Sequence, residues 1–286
     1  MSIDAVSDAR GRVKVLAIDH RDSLKSFLRP DDPGSVRPDD LTQLKIDVVS
    51  AIAPLATGVM LEPEYSIPQV IDAGAVPDGV GVIAALEAQG YMADPINTVT
   101  EILPGWSVEQ AVAAGAAMCK LLLPYHPDRA TAGAQEAVVD EVVRQCHGVG
   151  VPVVVEPVAF ALDDPATHTD VVVRSIERLR PSGADLLKVP FPGRRDDPAG
   201  WGGACEAVAD AAAGPWVILS GGGAFEDFAA QLEVAMANGC HGFMVGRALW
   251  GEAARAQPAE RARLLVELVE PRFMQLCEVV DRAAAS

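Results

Sequence analysis

Eight short apolar segments recur along the chain, and stretches with helical apolar spacing separate them. The segments are 13–19, 56–64, 79–87, 116–125, 151–160, 184–192, 215–222 and 242–249. Runs of this length are typical of strands that are buried on both faces of a parallel sheet. Eight such strands alternating with helices predict an α/β fold, the (β/α)8 or TIM barrel. An open doubly wound sheet is the alternative, and it is disfavoured because no Gly-x-Gly-x-x-Gly motif follows an early strand.

Apolar spacing and capping residues mark the helices between these strands. The predicted helices are 39–54, 108–114, 131–149, 168–181, 199–213, 224–238 and 258–284. Ser107-Val-Glu-Gln, for example, has the pattern of a capping box. Barrels of this class commonly need about 250 residues, and no linker or repeat interrupts the pattern. We therefore expect a single domain over residues 1–286, with a long C-terminal helix at about 258–284.

Composition and charge disfavour several classes of protein. The formal net charge of −17 disfavours a nucleic-acid partner, which normally requires a basic surface. No apolar run approaches the roughly 20 residues of a membrane span, and the first residues, MSIDAVSDARG, lack the apolar core of a secretory signal. The five cysteines are well separated and form no Cys-x-x-Cys pair, so no disulfide framework is indicated. We expect a cytoplasmic protein without a membrane partner.

Polar residues cluster near the carboxyl ends of the predicted strands, where barrel enzymes carry their active sites. They are Asp19, His20, Arg21, Glu62, Glu64, Glu87, Lys120, Glu156, Lys188, Ser220 to Gly223, Gly246 and Arg247. A lysine within an apolar strand is costly unless it is paired, neutral or used in chemistry. We choose Lys188 as a nucleophile that forms a Schiff base with a carbonyl substrate, because desolvation and a second cation such as Lys120 would activate its amine.

Carbon–carbon cleavage beside an iminium also needs proton transfer at a hydroxyl group. Glu156 and Asp19 are the candidates for this transfer. Glu156 and Lys120 each have a structural alternative: Glu156 could serve only to pair with a lysine, and Lys120 could serve only to pair with a carboxylate.

The seventh and eighth strands are followed by a predicted anion site. Ser220, Gly221, Gly222 and Gly223 lead into the helix 224–238, and Gly246 and Arg247 end the eighth strand. Glycine amides, a helix N-terminus and a guanidinium together favour a phosphate group. Barrels commonly bind phosphate at these two loops.

The histidines do not have the spacing of a metal site. His20, His126, His147, His168 and His241 form no His-x-His or His-Glu-x-x-His motif. We therefore expect no metal and no other cofactor. His147 and His168 are interpreted as surface residues, whereas His20 and His126 lie near strand ends.

Six segments carry a resemblance to a known family. They are LAIDHRDSL (16–24), KLLLPYHPD (120–128), VVVEPV (153–158), SGADLLKV (182–189), PWVILSGGG (215–223) and NGCHGFMVGRALW (238–250). Together they resemble the class I aldolase family that contains tagatose 1,6-bisphosphate aldolase and sulfofructosephosphate aldolase. The segments cover nearly the whole chain in the family's order, so the resemblance is more specific than any one of them.

The resemblance implies a metal-independent barrel that cleaves a phosphorylated ketose through a lysine Schiff base. Position by position, it places the Schiff base on Lys188, the proton-shuttling carboxylate on Glu156 and the accessory lysine on Lys120. It also places an Asp-x-Arg element on Asp19 and Arg21, and phosphate binding on the loop 220–223 and on Gly246 and Arg247. The chain departs from the family at His20, where Gln is usual, and at Pro190, where a polar or acidic residue is usual.

The substrate is left open. Cleavage would give dihydroxyacetone phosphate and an aldehyde, from either tagatose or fructose 1,6-bisphosphate or sulfofructose 1-phosphate. The residues available for a second anion are Arg21, Ser23, Lys25, Arg194 and Arg195. The alternatives are a Schiff-base aldolase for a deoxy-keto acid phosphate or deoxyribose phosphate, and a non-catalytic barrel that senses sugar phosphates. The long C-terminal helix and the family resemblance predict a homo-oligomer.

Overall fold

Eight parallel strands close into a barrel in chain order in the computed structural model, which describes residues 1–283. The strands are β1 (Val13–Ala17), β2 (Gly58–Leu61), β3 (Gly81–Ala85), β4 (Met118–Pro124), β5 (Val153–Val158), β6 (Leu186–Pro190), β7 (Trp216–Leu219) and β8 (Gly242–Val245). The barrel closes where β1 pairs with β8, with Lys14 opposite Phe243. The predicted (β/α)8 fold is therefore confirmed, and each predicted apolar segment contains its strand.

Helices follow the strands and cover the barrel. They are α1 (Asp22–Leu28), α2 (Pro38–Ile52), α3 (Ile67–Asp72), α4 (Val108–Ala113), α5 (Ala132–Gly148), α6 (His168–Leu179), α7 (Trp201–Ala212), α8 (Phe225–Ala237), α9 (Arg247–Arg255), α10 (Pro258–Leu264) and α11 (Glu270–Ala283). A π-helical segment, Leu265–Val269, joins α10 to α11, so the predicted C-terminal helix contains an interruption. Residue 284 of that prediction lies outside the described residues.

The predicted eighth strand was too long. The apolar segment 242–249 predicts a strand up to residue 249, but β8 ends at Val245 and α9 begins at Arg247. Ala248 and Leu249 are buried on α9, and a short apolar run does not by itself distinguish a strand from a buried helix. Arg247 is therefore the first residue of a helix rather than the end of a strand.

Two groups of apolar side chains form the core. One group fills the inside of the barrel and includes Val15, Met60, Met118, Val154 and Leu186. The larger group lies between the outer face of the barrel and the helices. Because side chains alternate along a strand, the residue two places beyond an interior residue also points into the barrel. This alternation determines which polar side chains of the strands point into the barrel.

The N-terminal segment closes the barrel at the amino ends of its strands. Ile3 and Val6 belong to the interior apolar group. The hydroxyl of Thr57 donates a hydrogen bond of 2.8 Å to the carbonyl oxygen of Val6, which fixes the segment beneath β2. The opposite end of the barrel, at the carboxyl ends of the strands, carries a cavity.

Two further sequence-based expectations concern the whole chain. The five cysteines are free thiols, and four of them are buried. Within residues 1–283, every helix is too short or too polar to cross a membrane.

Candidate active site

A cavity of about 440 Å³ opens at the carboxyl ends of the strands. Most of the predicted site residues line it. These are Asp19, His20, Ser23, Lys120, Glu156, Lys188, Ser220, Gly221, Gly222, Gly246 and Arg247. Arg21 and Gly223 are predicted site residues that do not line it.

Strand alternation places the central three residues of the site. Lys120, Glu156 and Lys188 each lie two positions beyond an interior apolar residue of β4, β5 and β6 respectively. They therefore rise from neighbouring strands directly above the apolar filling of the barrel. The sequence could predict this because each residue interrupts an otherwise apolar strand.

Lys188 is buried at the base of the cavity, with only 6% of its side chain exposed. Its Nζ atom lies 2.9 Å from Oε1 of Glu156 and 3.7 Å from the sulfur of Met60. The amine thus has one carboxylate partner on one side and apolar barrel filling on another. A proton can pass between Lys188 and Glu156 without a bridging water, because the two groups are within hydrogen-bond distance.

Lys120 has three carboxylate neighbours. Its Nζ lies 2.5 Å from Glu87 Oε1, 2.8 Å from Asp19 Oδ2 and 3.2 Å from Glu156 Oε2. Burial alone would lower the pKa of Lys120, but these carboxylates raise it well above its usual value. Lys120 is therefore a charged lysine whose charge is compensated by its carboxylate partners, and pairing with a carboxylate is one of the two roles that the sequence leaves open for it.

Asp19 responds to the same cluster. Burial acts to raise the pKa of its carboxyl group, but Lys120 and Lys188 outweigh burial and hold that pKa well below its usual range. Asp19 therefore remains a carboxylate at neutral pH. It can accept a hydrogen bond or a proton from a substrate hydroxyl group.

Glu87 is part of the cluster, although the sequence identifies it only as a polar residue near a strand end and not as a catalytic or binding candidate. One of its oxygens contacts Lys120, and the other accepts a hydrogen bond of 3.2 Å from the backbone N–H of Leu122. Burial raises the pKa of Glu87. The signal that could have identified it is its position just beyond β3, in the same layer as Lys120.

Arg21 is a predicted substrate-binding residue whose guanidinium is bonded to other groups of the protein. It is only 1% exposed, and its two terminal nitrogens donate to Glu64 Oε2 at 2.9 Å and to the backbone oxygen of Glu87 at 2.6 Å. These protein partners keep the guanidinium out of the cavity. Arg21 therefore fixes the position of Glu87 instead of facing a ligand.

His20 presents a neutral imidazole to the cavity. Its ring packs edge-on against Trp250, with the ring centroids 5.5 Å apart, and the Trp250 indole donates to the backbone oxygen of Ala17 at 3.1 Å. Burial lowers the pKa of His20 to about 3. Its Nδ1 atom is buried and has no hydrogen-bond partner within the described chain. The ring is thus held in place with one nitrogen unused by the protein.

Residues after β7 and β8 form a cradle, defined here as Ser220, Gly221, Gly222, Gly246 and Arg247. The backbone N–H of Gly246 donates to the Ser220 hydroxyl at 3.3 Å, which joins the two loops. Gly222 has φ +75°, and a Cβ atom there would lie 3.4 Å from the Arg247 guanidinium. The positive φ favours glycine at this position. The backbone can therefore approach a ligand beside a cation.

Arg247 has an unused donor in this cradle. Its Nε is buried, and no hydrogen-bond partner for it exists among residues 1–283. Gly223, by contrast, donates its N–H to the Ser220 oxygen at 3.2 Å and lies outside the cavity. The amide of Gly223 already has a protein acceptor, and its role in binding a ligand stays a prediction.

Loops from β3 and β5 meet above the cavity. Tyr91, which the sequence did not single out, lines the cavity and lies 6.0 Å from Phe160 between ring centroids. Burial raises the pKa of Tyr91, so its hydroxyl stays protonated. Arg129 holds the β5 loop by donating to the Phe160 oxygen at 2.6 Å. Tyr91 lies in a loop without periodicity, so no sequence pattern indicated it.

The cavity wall contains His168 but neither His126 nor Lys25. His168 was interpreted as a surface residue, but it is half-buried and lines the cavity, with Nε2 2.8 Å from the Phe191 oxygen. His126 does not line the cavity; its Nδ1 accepts the N–H of Asp128. Lys25 pairs with Asp22 at 3.2 Å and also lies outside the cavity.

The carboxylates of the site turn toward Lys120. Within the described residues, no group of three or more His, Cys, Asp or Glu side chains is arranged to hold a metal ion.

A buried, paired lysine in a cavity at the carboxyl ends of the strands is placed as in the class of (β/α)8-barrel enzymes, which carry their active sites at this end. Comparison with known families is more specific. The sequence profile described as DeoC/LacD family aldolase matches residues 13–252. The chain therefore belongs to the DeoC/LacD family of aldolases, which are carbon–carbon lyases.

Several relatives share most of this chain. Tagatose 1,6-diphosphate aldolase 1 of Streptococcus mutans is 25% identical over 283 residues, covering 88% of this chain and 85% of the relative. Tagatose 1,6-diphosphate aldolase 2 of Streptococcus agalactiae is 26% identical over 279 residues, with coverage of 88% and 85%.

Solved structures share the fold at lower identity. An archaeal fructose 1,6-bisphosphate aldolase has a TM-score of 0.61 and 22% identity, covering 93% of this chain and 96% of its own. A fructose-bisphosphate aldolase from Slackia heliotrinireducens has a TM-score of 0.68 and 17% identity, with coverage of 99% and 87%.

Proposed function

We propose that the protein is a class I aldolase that cleaves a phosphorylated ketose through a Schiff base on Lys188. The observation that carries this proposal is the buried Lys188 amine, 2.9 Å from Glu156, in the cavity that also holds the Arg247 cradle. A lysine in such a place can attack a carbonyl carbon, and the cradle can hold the phosphate of the same molecule.

The first half of the proposed reaction forms the iminium. The neutral amine of Lys188 attacks the C2 ketone, and its proton passes to Glu156. Glu156 returns a proton to the carbinolamine hydroxyl, which leaves as water. Proton transfer by a positioned carboxyl group typically contributes about 10²- to 10⁴-fold to the rate.

The second half breaks the C3–C4 bond. A carboxylate, either Asp19 or Glu156, accepts the proton of the C4 hydroxyl, and the electrons of the C3–C4 bond move toward the iminium nitrogen. An aldehyde and an enamine result. Protonation of the enamine at C3 and addition of water at C2 then release dihydroxyacetone phosphate and restore Lys188. Lys120 stays charged and holds Asp19 and Glu156 in place.

The relatives support this reaction. The curated relatives are described as tagatose 1,6-diphosphate aldolases. One neighbour of the fold, 21% identical with a TM-score of 0.62, is described as an archaeal fructose-1,6-bisphosphate aldolase whose catalytic lysine is covalently bound to the carbinolamine intermediate of the substrate. A tagatose or fructose 1,6-bisphosphate and a sulfofructose 1-phosphate both fit the dihydroxyacetone phosphate half. The cytoplasmic location and the homo-oligomer stay predictions.

Borohydride trapping with dihydroxyacetone phosphate tests the proposal. We expect a reduced adduct on Lys188, identified by intact-mass and peptide analysis, that is absent from Lys188→Ala. Lys25→Ala is the matched control, because Lys25 lies outside the cavity, and it should form the adduct as the unsubstituted protein does.

The result of the trapping experiment distinguishes the proposed function from the alternative functions. No adduct on the folded protein would overturn the proposal. An adduct with deoxyribose phosphate or a keto acid phosphate instead would favour a deoxy-sugar aldolase, and no adduct with any carbonyl compound would favour a non-catalytic barrel.

A further inference from the structure

A long loop, residues 86–107, joins β3 to α4 and passes over the central cavity. Most strand-to-helix loops in barrels have about 2–6 residues, and a longer ordered loop usually serves a function. Four residues of this loop line the cavity, namely Glu87, Gln89, Tyr91 and Met92. The loop therefore forms part of the wall that a bound substrate would contact.

The loop is held by side chains of the β4 loop and α5. The fully buried Gln135 accepts the backbone N–H of Thr100 at 3.0 Å and donates to the Thr98 oxygen at 3.2 Å. Arg129 donates to the Pro95 oxygen at 3.4 Å, and its other terminal nitrogen binds the β5 loop. The loop backbone is thus ordered before a ligand arrives, which lowers the entropic cost of binding.

Tyr91 is directed into the cavity by the turn that precedes it. Gly90 has φ +102°, in the left-handed region that favours glycine. The Tyr91 ring packs against Phe160 of the β5 loop, so apolar contact holds the ring while leaving its hydroxyl unused. The side chain is therefore fixed at the cavity wall without a hydrogen bond of its own.

The hydroxyl of Tyr91 is available to a ligand. The hydroxyl of Tyr125, by comparison, donates to Glu136 Oε1 at 2.6 Å. Among residues 1–283 the Tyr91 hydroxyl has no hydrogen-bond partner. Burial raises the pKa of Tyr91, so the phenol keeps its proton at neutral pH and can donate it in a hydrogen bond.

The surroundings of Tyr91 define which part of a substrate it would meet. Lys188 is buried at the base of the cavity, whereas Tyr91 reaches the cavity from the loop above. The phenol interacts electrostatically with Lys120 and Glu156 on one side and with Arg247 of the cradle on the other. It therefore lies between the carboxylate cluster and the cradle, facing the position of a Schiff base.

The proposed reaction leaves one substrate hydroxyl without a partner. The cradle binds the C1 phosphate, Lys188 binds C2, and Asp19 or Glu156 takes the proton of the C4 hydroxyl. C3 lies between C2 and C4, and none of these groups binds its hydroxyl. A substrate that turns one face toward Lys188 turns the other face toward Tyr91.

We propose that the Tyr91 hydroxyl donates a hydrogen bond to the C3 hydroxyl oxygen, which makes Tyr91 a specificity-determining residue for ketoses that carry this group. The inference rests on the proposed function. It implies discrimination against donors without this hydroxyl, such as those of deoxy-sugar aldolases. A site that hydrogen-bonds a substrate hydroxyl rejects the analogue that lacks it.

The test compares two ketones that differ in one hydroxyl group. Dihydroxyacetone phosphate carries the hydroxyl on the carbon that becomes C3, and hydroxyacetone phosphate lacks it. The concentration of each that gives half-maximal borohydride-trapped adduct is measured for the native protein and for Tyr91→Phe. We expect the ratio of these concentrations, hydroxyacetone phosphate over dihydroxyacetone phosphate, to fall about fivefold in Tyr91→Phe, because only the second compound loses a hydrogen bond.

Tyr125→Phe is the matched control. It removes a hydroxyl that is bonded to Glu136 outside the cavity, so it should keep the native ratio. The substitution of Tyr91 preserves the ring and its packing on Phe160, so a change in the ratio reports the hydroxyl itself.

The same measurements distinguish failure of this inference from failure of the proposed function. A ratio in Tyr91→Phe within about twofold of native would overturn the role of Tyr91 alone, provided that the native protein forms the dihydroxyacetone phosphate adduct. Equal weakening of both adducts would also overturn it, because the hydroxyl would then act on the shared ketone or phosphate. No adduct of dihydroxyacetone phosphate on the native protein would overturn both proposals.

Discussion

The two oxygens of the Glu156 carboxylate contact different lysines. Oε1 lies 2.9 Å from the Nζ atom of Lys188, and Oε2 lies 3.2 Å from that of Lys120. Glu156 is therefore held by a lysine that stays charged while it faces a lysine that must lose its proton to react. This arrangement separates the positioning of the carboxylate from its proton transfer.

Glu156→Gln should lower kcat by about 10²- to 10⁴-fold, because an amide cannot carry the proton between Lys188 and the carbinolamine. The rate of borohydride-trapped adduct formation should fall with it, although Lys188 remains present. Steady-state kinetics and time-resolved mass analysis measure both quantities. Glu141→Gln, an exposed change on α5, is the control. A fall in kcat of less than threefold would show that Glu156 is only structural.

Lys120→Met should destabilise the fold by about 3–5 kcal/mol, because it leaves buried carboxylates without their cation. Asp19, Glu87 and Glu156 would then face one another. Urea unfolding at pH 7 gives the change in free energy. Lys25→Met, in a partly exposed pair, should change it by less than about 0.5 kcal/mol. Equal effects of the two substitutions would contradict the cluster described here.

Arg247→Gln should raise KM for a ketose 1-phosphate by at least about tenfold, which corresponds to about 1.4 kcal/mol of binding free energy. The reason is that Nε of Arg247 is a buried donor without a protein acceptor in the described chain, and a phosphate supplies one. Arg255→Gln is a matched control, because Arg255 stacks on Phe27 outside the cavity. If both variants raise KM equally, the cradle is not the phosphate site.

His20 makes stability depend on pH in a defined direction. Burial lowers its pKa in the folded protein to about 3, from an ordinary value of 6.5. Below pH 6.5 the unfolded chain binds a proton that the folded ring does not, so the native protein loses stability as the pH falls from 6.5 toward 3.

His20→Gln should remove this dependence. When the pH is lowered from 7 to 5, the difference in unfolding free energy, variant minus native, should therefore rise by about 1 to 2 kcal/mol. Urea titrations at pH 7, 6 and 5 measure this gap. A gap that is constant over this range would show that His20 titrates normally in the folded state.

The barrel could be predicted because each of its strands is marked by residues that are neighbours in the sequence. Each buried strand is a short apolar run, and each interior polar residue interrupts such a run, as Lys120, Glu156 and Lys188 do. The extent of the eighth segment was not predictable in this way. Ala248 and Leu249 are as apolar as the strand before them, and only the packing of α9 against the barrel shows that they are helical.

The cluster around Lys120 was harder to predict than its members. Asp19, Glu87 and Lys120 come from three different strand ends, and the sequence does not specify which carboxylate meets which lysine. Arg21 illustrates the same limit. It follows Asp19 closely in sequence, yet its guanidinium is directed to Glu64 and Glu87 rather than to the cavity. Side-chain direction at a strand end depends on the neighbouring loops, which carry no periodic signal.

The pairing of β1 with β8 has a consequence for synthesis on the ribosome. Val13 at the start of β1 pairs with Gly242 at the start of β8. The edge of β1 that pairs with β8 therefore stays unpaired until almost the whole chain has been synthesised. During that interval the nascent barrel exposes an unpaired apolar edge, a state prone to association with other chains. Barrel closure is therefore the step at which a chaperone would most affect the yield of folded protein.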